Sequence, residues 1–205
     1  MDPQAAVTVV FQISMGVSLA ACAGFRAFTP LLVVGMAGRL DLIPLAERFD
    51  WLSSDAALIV LAAAVIIETL ADKVPIVDHS LDLAATLVRP VAGALLVASP
   101  LTGFDPLVAT VVGIVLGSTV AGGVHLVKSK ARLASTALTG ASANPFLSVA
   151  EDAASFGGSL LSVFVPIFAV LFVCLVAFVA YRFIGRRLGL QFCGPRDSIG
   201  ASRDE

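Results

Sequence analysis

Glu68 and Asp72 stand at i and i+4 at the end of an apolar run, and Asp78 and Asp82 repeat that spacing after Pro75. Residues so spaced share a helix face, so each pair of carboxylates can converge on one point. Oxygen-rich pairs suit a hard cation such as Ca²⁺, Mn²⁺ or Mg²⁺, or a proton handed between carboxylates. Glu68 is the sharper candidate, because Ala56 to Ile67 ahead of it is wholly apolar and an ionised carboxylate inside a bilayer is costly. The competing reading is a solvated loop in which Lys73 and Arg89 act as counter-ions. Arg26 is a second costly charge; it either snorkels to an interface or pairs with Glu68 across a bundle.

His79 could bind a transition metal or titrate near neutral pH, although a lone histidine in a polar stretch is more often ordinary. Asp78-His79-Ser80 is not a hydrolytic triad, since sequence neighbours project in different directions. No nucleophile and base stand out, and the chain reads as neither an enzyme nor a cofactor binder. Further along, His125, Lys128 and Arg132 fall at i, i+3 and i+7 and form a basic stripe suited to lipid phosphate or an anionic substrate. Asn144-Pro145 with Glu151-Asp152 makes another polar turn.

These groups are scattered through a chain that is 58% hydrophobic and 14% charged, with a mean hydropathy of +0.98, whereas soluble domains carry about 25% charged residues. Val7 to Phe25, Leu107 to Val124 and Leu160 to Tyr181 contain no internal Asp, Glu, Lys or Arg. Each approaches the roughly 20 residues a crossing needs. The expected fold class is all-α: a polytopic transmembrane bundle of five to six membrane segments, one or more of them re-entrant. The lipid bilayer is its first partner. Net charge is −2, which provides no basic surface for nucleic acid. Cys22, Cys174 and Cys193 are far apart and form no C-x-x-C pair, so neither a disulfide framework nor a zinc site follows.

Span 1 is read at 7–25, followed by a half-helix or re-entrant piece at 27–38, with Thr29-Pro30 disfavouring helix at Thr29. A polar loop leads to span 2, capped by Ser53, Ser54 or Asp55 and ending near Asp72. A third span starts at Asp78 and breaks or kinks at Arg89-Pro90. Span 4 opens at Asp105-Pro106 and ends near His125, residues 126–154 form a polar connection, and span 5 covers about 159–183 with a kink at Pro166. Arg182, Arg186, Arg187 and Arg196 place the C-terminus on the cytoplasmic side of an inner (plasma) membrane. Five crossings then leave Lys128, Lys130 and Arg132 outside, against the rule. Either a further crossing lies within 133–158 or those charges are functional. Residues 1–25 contain no Lys or Arg, so the first segment reads as a retained span rather than a signal peptide.

Gly16, Ala20 and Gly24 align at a constant offset with Gly113, Gly117 and Ala121, which suggests repeats at 13–100 and 107–184. Small residues every four positions also let helices pack closely without any duplication. Residues 1–187 form the membrane domain, and 188–205 read as a disordered polar tail.

The phrases SLAACAGFRAFTPLL (18–32), ETLADKVPIVDHSLD (68–82), RPVAGALL (89–96) and NPFLSVAED (144–152) resemble those of the bacterial membrane family catalogued as domain of unknown function 4126. That resemblance spans about 13–180 and implies no particular activity, substrate or cofactor. A fainter similarity links 68–73 with the acidic E-x-G-D-K signature of a duplicated family of cation/proton exchangers. Here Glu68 and Asp72 are one residue further apart, Ala71 stands in place of the glycine, and the second half has no copy. The expected function is a transporter or channel for an ion or small solute, with a cation or protons favoured. The alternative is a non-transporting scaffold, or a homo-oligomer, using the two small-residue faces to bind partner helices.

Overall fold

The computed structural model describes residues 3–71, 75–140, 144–171 and 173–174, with the side chains of 72–85, 138–139 and 141–145 left out. Within these residues the protein is helical, without a strand: α1 (Pro3–Phe25), α2 (Phe28–Arg39), a 3₁₀ turn (Glu47–Ser53), α3 (Asp55–Ala71) and α4 (Pro75–Ala98) come first. There follow α5 (Pro106–Val112), a π-helical segment (Gly113–Ser118), α6 (Thr119–Thr139) and α7 (Asn144–Phe164). Two helices, Pro3–Phe25 and Pro106–Ala137, are long and apolar enough to cross a membrane. A third crossing is made if the 3₁₀ turn and α3, bent by 62° to one another, count as one span. These features are compatible with an integral membrane protein.

The elements alternate between two ends of the bundle. Lys128 reaches the last carbonyl of α1 and Glu68 the first amides after it, so the end of α3 and the middle of α6 lie where α1 stops, the far end. Gln12 meets Thr102, and Ala46 meets Ser99, which places the loops after α2 and α4 at the near end, where α1 begins. Val163 and Phe164 of α7 share a groove with Val7 there. α1 is the hub, packed against α4, α6 and α7, and its residues from Ser18 to Gly24 are buried.

Local chemistry explains several boundaries. Asp105 caps α5 by accepting from the amides of Leu107 (2.8 Å) and Val108 (3.3 Å), with Pro106 in the first turn where no amide is needed. The Ser54 hydroxyl accepts from Ala57 N at 3.2 Å and caps α3. The chain breaks at Arg26-Ala27, as expected, but for another reason than Pro30: Thr29 and Pro30 both lie inside α2, where a first-turn proline gives up no bond. Pro90 likewise does not interrupt α4, which runs unbroken across it. The stretch 126–154, read as a polar connection, instead holds the second part of α6 and the first half of α7, and Gly140 after α6 is left-handed at φ 60°. At Pro166 the helical assignment is interrupted just before the ring, at Val165.

Both small-residue faces are consumed inside the bundle. A Cβ on Gly117 would lie 2.1 Å from Gly93 O, one on Gly16 would lie 2.8 Å from Val97 Cα, and one on Gly24 would lie 2.4 Å from Val124 Cβ. Only glycine permits backbones to approach this closely. The widened π segment sits at the closest of these crossings, against α4.

Candidate functional site

The break between α1 and α2 exposes two sets of unpaired backbone groups, carbonyls at the end of α1 and amides at the start of α2. Each set is met by a charge of the matching sign from another helix. Lys128 Nζ of α6 donates to Phe25 O at 2.8 Å, placing a cation at the negative end of α1. Glu68 of α3 accepts from Ala27 N at 3.0 Å and Phe28 N at 3.3 Å, placing a carboxylate at the positive end of α2. Arg26, the residue at the break itself, is 1% exposed. Its guanidinium pairs with Asp152 of α7 and donates to Ser148 Oγ at 3.4 Å. Glu68 therefore holds the backbone just after Arg26, and Asp152 is a carboxylate that meets the guanidinium.

Around this break the ionic groups continue inward. Lys128 also pairs with Glu151 Oε2 at 2.9 Å, and Arg132 grips both oxygens of Glu151, Nε at 3.3 Å and Nη2 at 3.0 Å. This fork is the bidentate geometry that makes arginine–carboxylate pairs strong. Arg89 of α4 contacts His125 Nδ1, and Thr86 Oγ1 lies 3.3 Å from His125 Nε2. A guanidinium can only donate, so in this contact Nδ1 is placed as the acceptor.

The stripe His125, Lys128, Arg132 thus faces the bundle interior, not lipid: His125 and Lys128 are each 5% exposed. The outward sides of the same turns carry exposed Leu126, Val127 and Leu133 on α6, and Phe146 and Val149 on α7. Helical spacing made the stripe visible in the sequence. Which side of α6 is covered depends on α4 and α7, and that needed the tertiary structure.

From the ionic cluster a line of small polar groups runs along α7 toward the near end. Ser148, Ser155, Ser159 and Ser162 are all buried. Ser155 Oγ donates to Cys22 O at 3.3 Å, while the hydroxyls of Ser159 and Ser162 donate along α7 to Ser155 O at 2.5 Å and Gly158 O at 2.7 Å. Gly158 lets α7 come within 2.8 Å, measured from an added Cβ, of Cys22 Sγ. The sequence reading passed over this seam. Serines at i, i+7, i+11 and i+14 from 148 onward mark one helix face, which signals the seam only in part, since it also uses a cysteine from α1.

Of the acidic candidates, Asp72 lies outside the described residues, and Asp78, Asp82 and His79 belong to α4 with side chains outside the description, as does Asn144 at the start of α7. Among the described residues no three His, Cys, Asp or Glu side chains gather closely enough to hold a metal ion. The carboxylates of Glu68, Glu151 and Asp152 instead face amides or cations.

No match was found among curated proteins or solved structures. A family model does match residues 13–186, taking in the helix break, both helices of the ionic cluster and the serine seam, and the chain belongs to the family that it describes, Domain of unknown function (DUF4126).

Proposed function

We propose that the protein is a polytopic membrane transporter or channel for an ion or small solute, with protons as the cargo or the coupling ion. The observation that supports this most directly is the α1–α2 break, whose two ends are held by the buried Lys128 and the half-buried Glu68 from separate helices. Broken helices with charged partners at membrane depth are how many transporters build a site that can open and close. A chain that only had to cross lipid would avoid these charges, since each buried ion costs several kcal/mol before its partner offsets that cost. The helices among the described residues, with α2 a half-length one, fit a single bundle in which the break faces the ionic cluster.

Glu68 is the group on which the mechanism turns. Ionised, it accepts from two backbone amides and fixes the start of α2. Protonated, it is a weaker acceptor, and the α2 terminus becomes free for another anion or for movement. The Cys22–serine seam offers a route of rotatable donors from the cluster toward the near end. A scaffold working through Gly16, Ala20, Gly24 or Gly113, Gly117, Ala121 would first have to open the bundle, because those faces are already filled.

The test is proton movement in liposomes holding the purified protein, read with an enclosed pH-sensitive dye under imposed pH and cation gradients. Flux should appear with the wild type and fall at least about tenfold in Glu68→Gln, which keeps the shape of the side chain but loses the charge and the titratable proton. A wild type that moves neither protons nor any common cation, or a Glu68→Gln variant with full flux, defeats the reading.

A further inference from the structure

At the near end, away from the ionic cluster, a groove of about 490 Å³ lies between the first turns of α1, the loop after α2 and the end of α7. Its walls include Val7, Phe11, Met15, Ile43, Pro44 and Phe164. Two polar side chains break this lining, and one of them is unsatisfied: Gln12 is 5% exposed, its Nε2 donates to Thr102 Oγ1 at 2.7 Å, and its buried Oε1 has no hydrogen-bond partner. The neighbouring Thr8 hydroxyl, also in the lining, is committed to Gln4 O at 3.0 Å.

A buried amide oxygen without a donor costs about 1–3 kcal/mol, and in hydrocarbon no water is at hand to relieve it. The groove has the size of a ligand site, typically about 300–1,000 Å³. All of its lining residues are uncharged, so neither the phosphate of a phospholipid nor an ammonium group finds a counter-charge there. We propose that this groove holds an uncharged membrane lipid with a free hydroxyl, of the diacylglycerol kind. An acyl chain lies along Val7, Phe11 and Phe164, and the hydroxyl donates to Gln12 Oε1. A bare hydrocarbon chain would fill the walls but leave the amide unsatisfied. Met15 at the base is a flexible side chain that adapts to chains of different shape. The site stands apart from the transport reading and does not depend on it.

The full-length protein is reconstituted in nanodiscs containing dioleoylglycerol, its methyl ether or phosphatidylglycerol, and lipids retained on release are counted by native mass spectrometry. Wild type should retain dioleoylglycerol about fivefold over the methyl ether, the difference made by one hydrogen bond. In Gln12→Leu that preference should vanish while the melting temperature holds. The wild-type comparison needs no variant, so the proposal remains exposed to failure even if Gln12→Leu does not fold. Equal retention of alcohol and ether overturns it, as does a Gln12→Leu protein that keeps the preference. Stronger retention of phosphatidylglycerol than of either would also overturn it, assigning the groove to a phospholipid.

Discussion

Lys128 joins two features that separate residues could have handled, the exposed carbonyl end of α1 and the carboxylate of Glu151. Both interactions are nearly free of solvent, with side-chain exposures of 3% for Lys128 and 6% for Glu151, so removing one partner leaves a charge in a poor environment. Lys128→Met should lower the stability of the detergent-solubilised protein by about 3 kcal/mol. Arg132→Met should cost less, because Arg132 is the more exposed of the two cations on Glu151. The double variant Lys128→Met/Glu151→Gln should then cost less than the sum of the two single changes, since the contact between the two residues is lost only once. Thermal unfolding of the four proteins checks this, and strictly additive losses would show that the pair is not coupled.

Among the helices, backbone proximity sorts the glycines into two groups with opposite expected behaviour. Gly117 and Gly24 sit where α1, α4, the π segment and α6 touch main chain to main chain or nearly so, and a methyl group there meets atoms at 2.1 Å and 2.4 Å. Gly123 and Gly157 are helical glycines with nothing within 4 Å of an added Cβ. Gly117→Ala and Gly24→Ala should therefore destabilise the bundle markedly. Gly123→Ala and Gly157→Ala should be neutral or gain up to about 1 kcal/mol from helix propensity. Melting temperatures in one detergent decide it, and a tolerated Gly117→Ala would mean that the crossing of the π segment with α4 is looser than the structure has it. The spacing of these small residues was legible in the sequence. Their distribution was not, since the sequence alone treats Gly123 and Gly117 alike.

For the whole molecule, the alternation of elements makes a prediction about sidedness. The loops holding Asp41 and Gly103 lie at the near end and the turn at Gly140 at the far end. In a background lacking Cys22, Cys174 and Cys193, an impermeant thiol reagent should label Asp41→Cys and Gly103→Cys from one side of the membrane. Gly140→Cys should be labelled from the other side. Labelling of all three from one side would remove the alternating arrangement. The same arrangement bears on the expectation of five crossings with ends on opposite sides. α7 returns the chain to the end where α1 begins, so the residues from Pro3 to Phe164 start and finish at one end.

What the amino-acid sequence determined by itself is local and periodic. The apolar lengths of 7–25 and 107–124, the caps Ser54 and Asp105, the break near Arg26 and the inline basic residues of α6 depend on neighbours a turn or two away. Each of these was readable because helix geometry makes such neighbours meet. The partners of the costly charges were decided only in three dimensions. Arg26 and Asp152, Lys128 and Phe25, and Glu68 and Ala27 are joined across long stretches of chain. The same apolar-with-one-charge pattern fits a snorkelling side chain or a buried pair equally well until packing chooses the covered face. α6 shows the reason most plainly. Its polar second half looked like a surface connection because hydrophobicity was low, yet α1, α4 and α7 close over that polar side, and the pairs of Lys128 and Arg132 with Glu151 offset the desolvation that the sequence pattern counted against it.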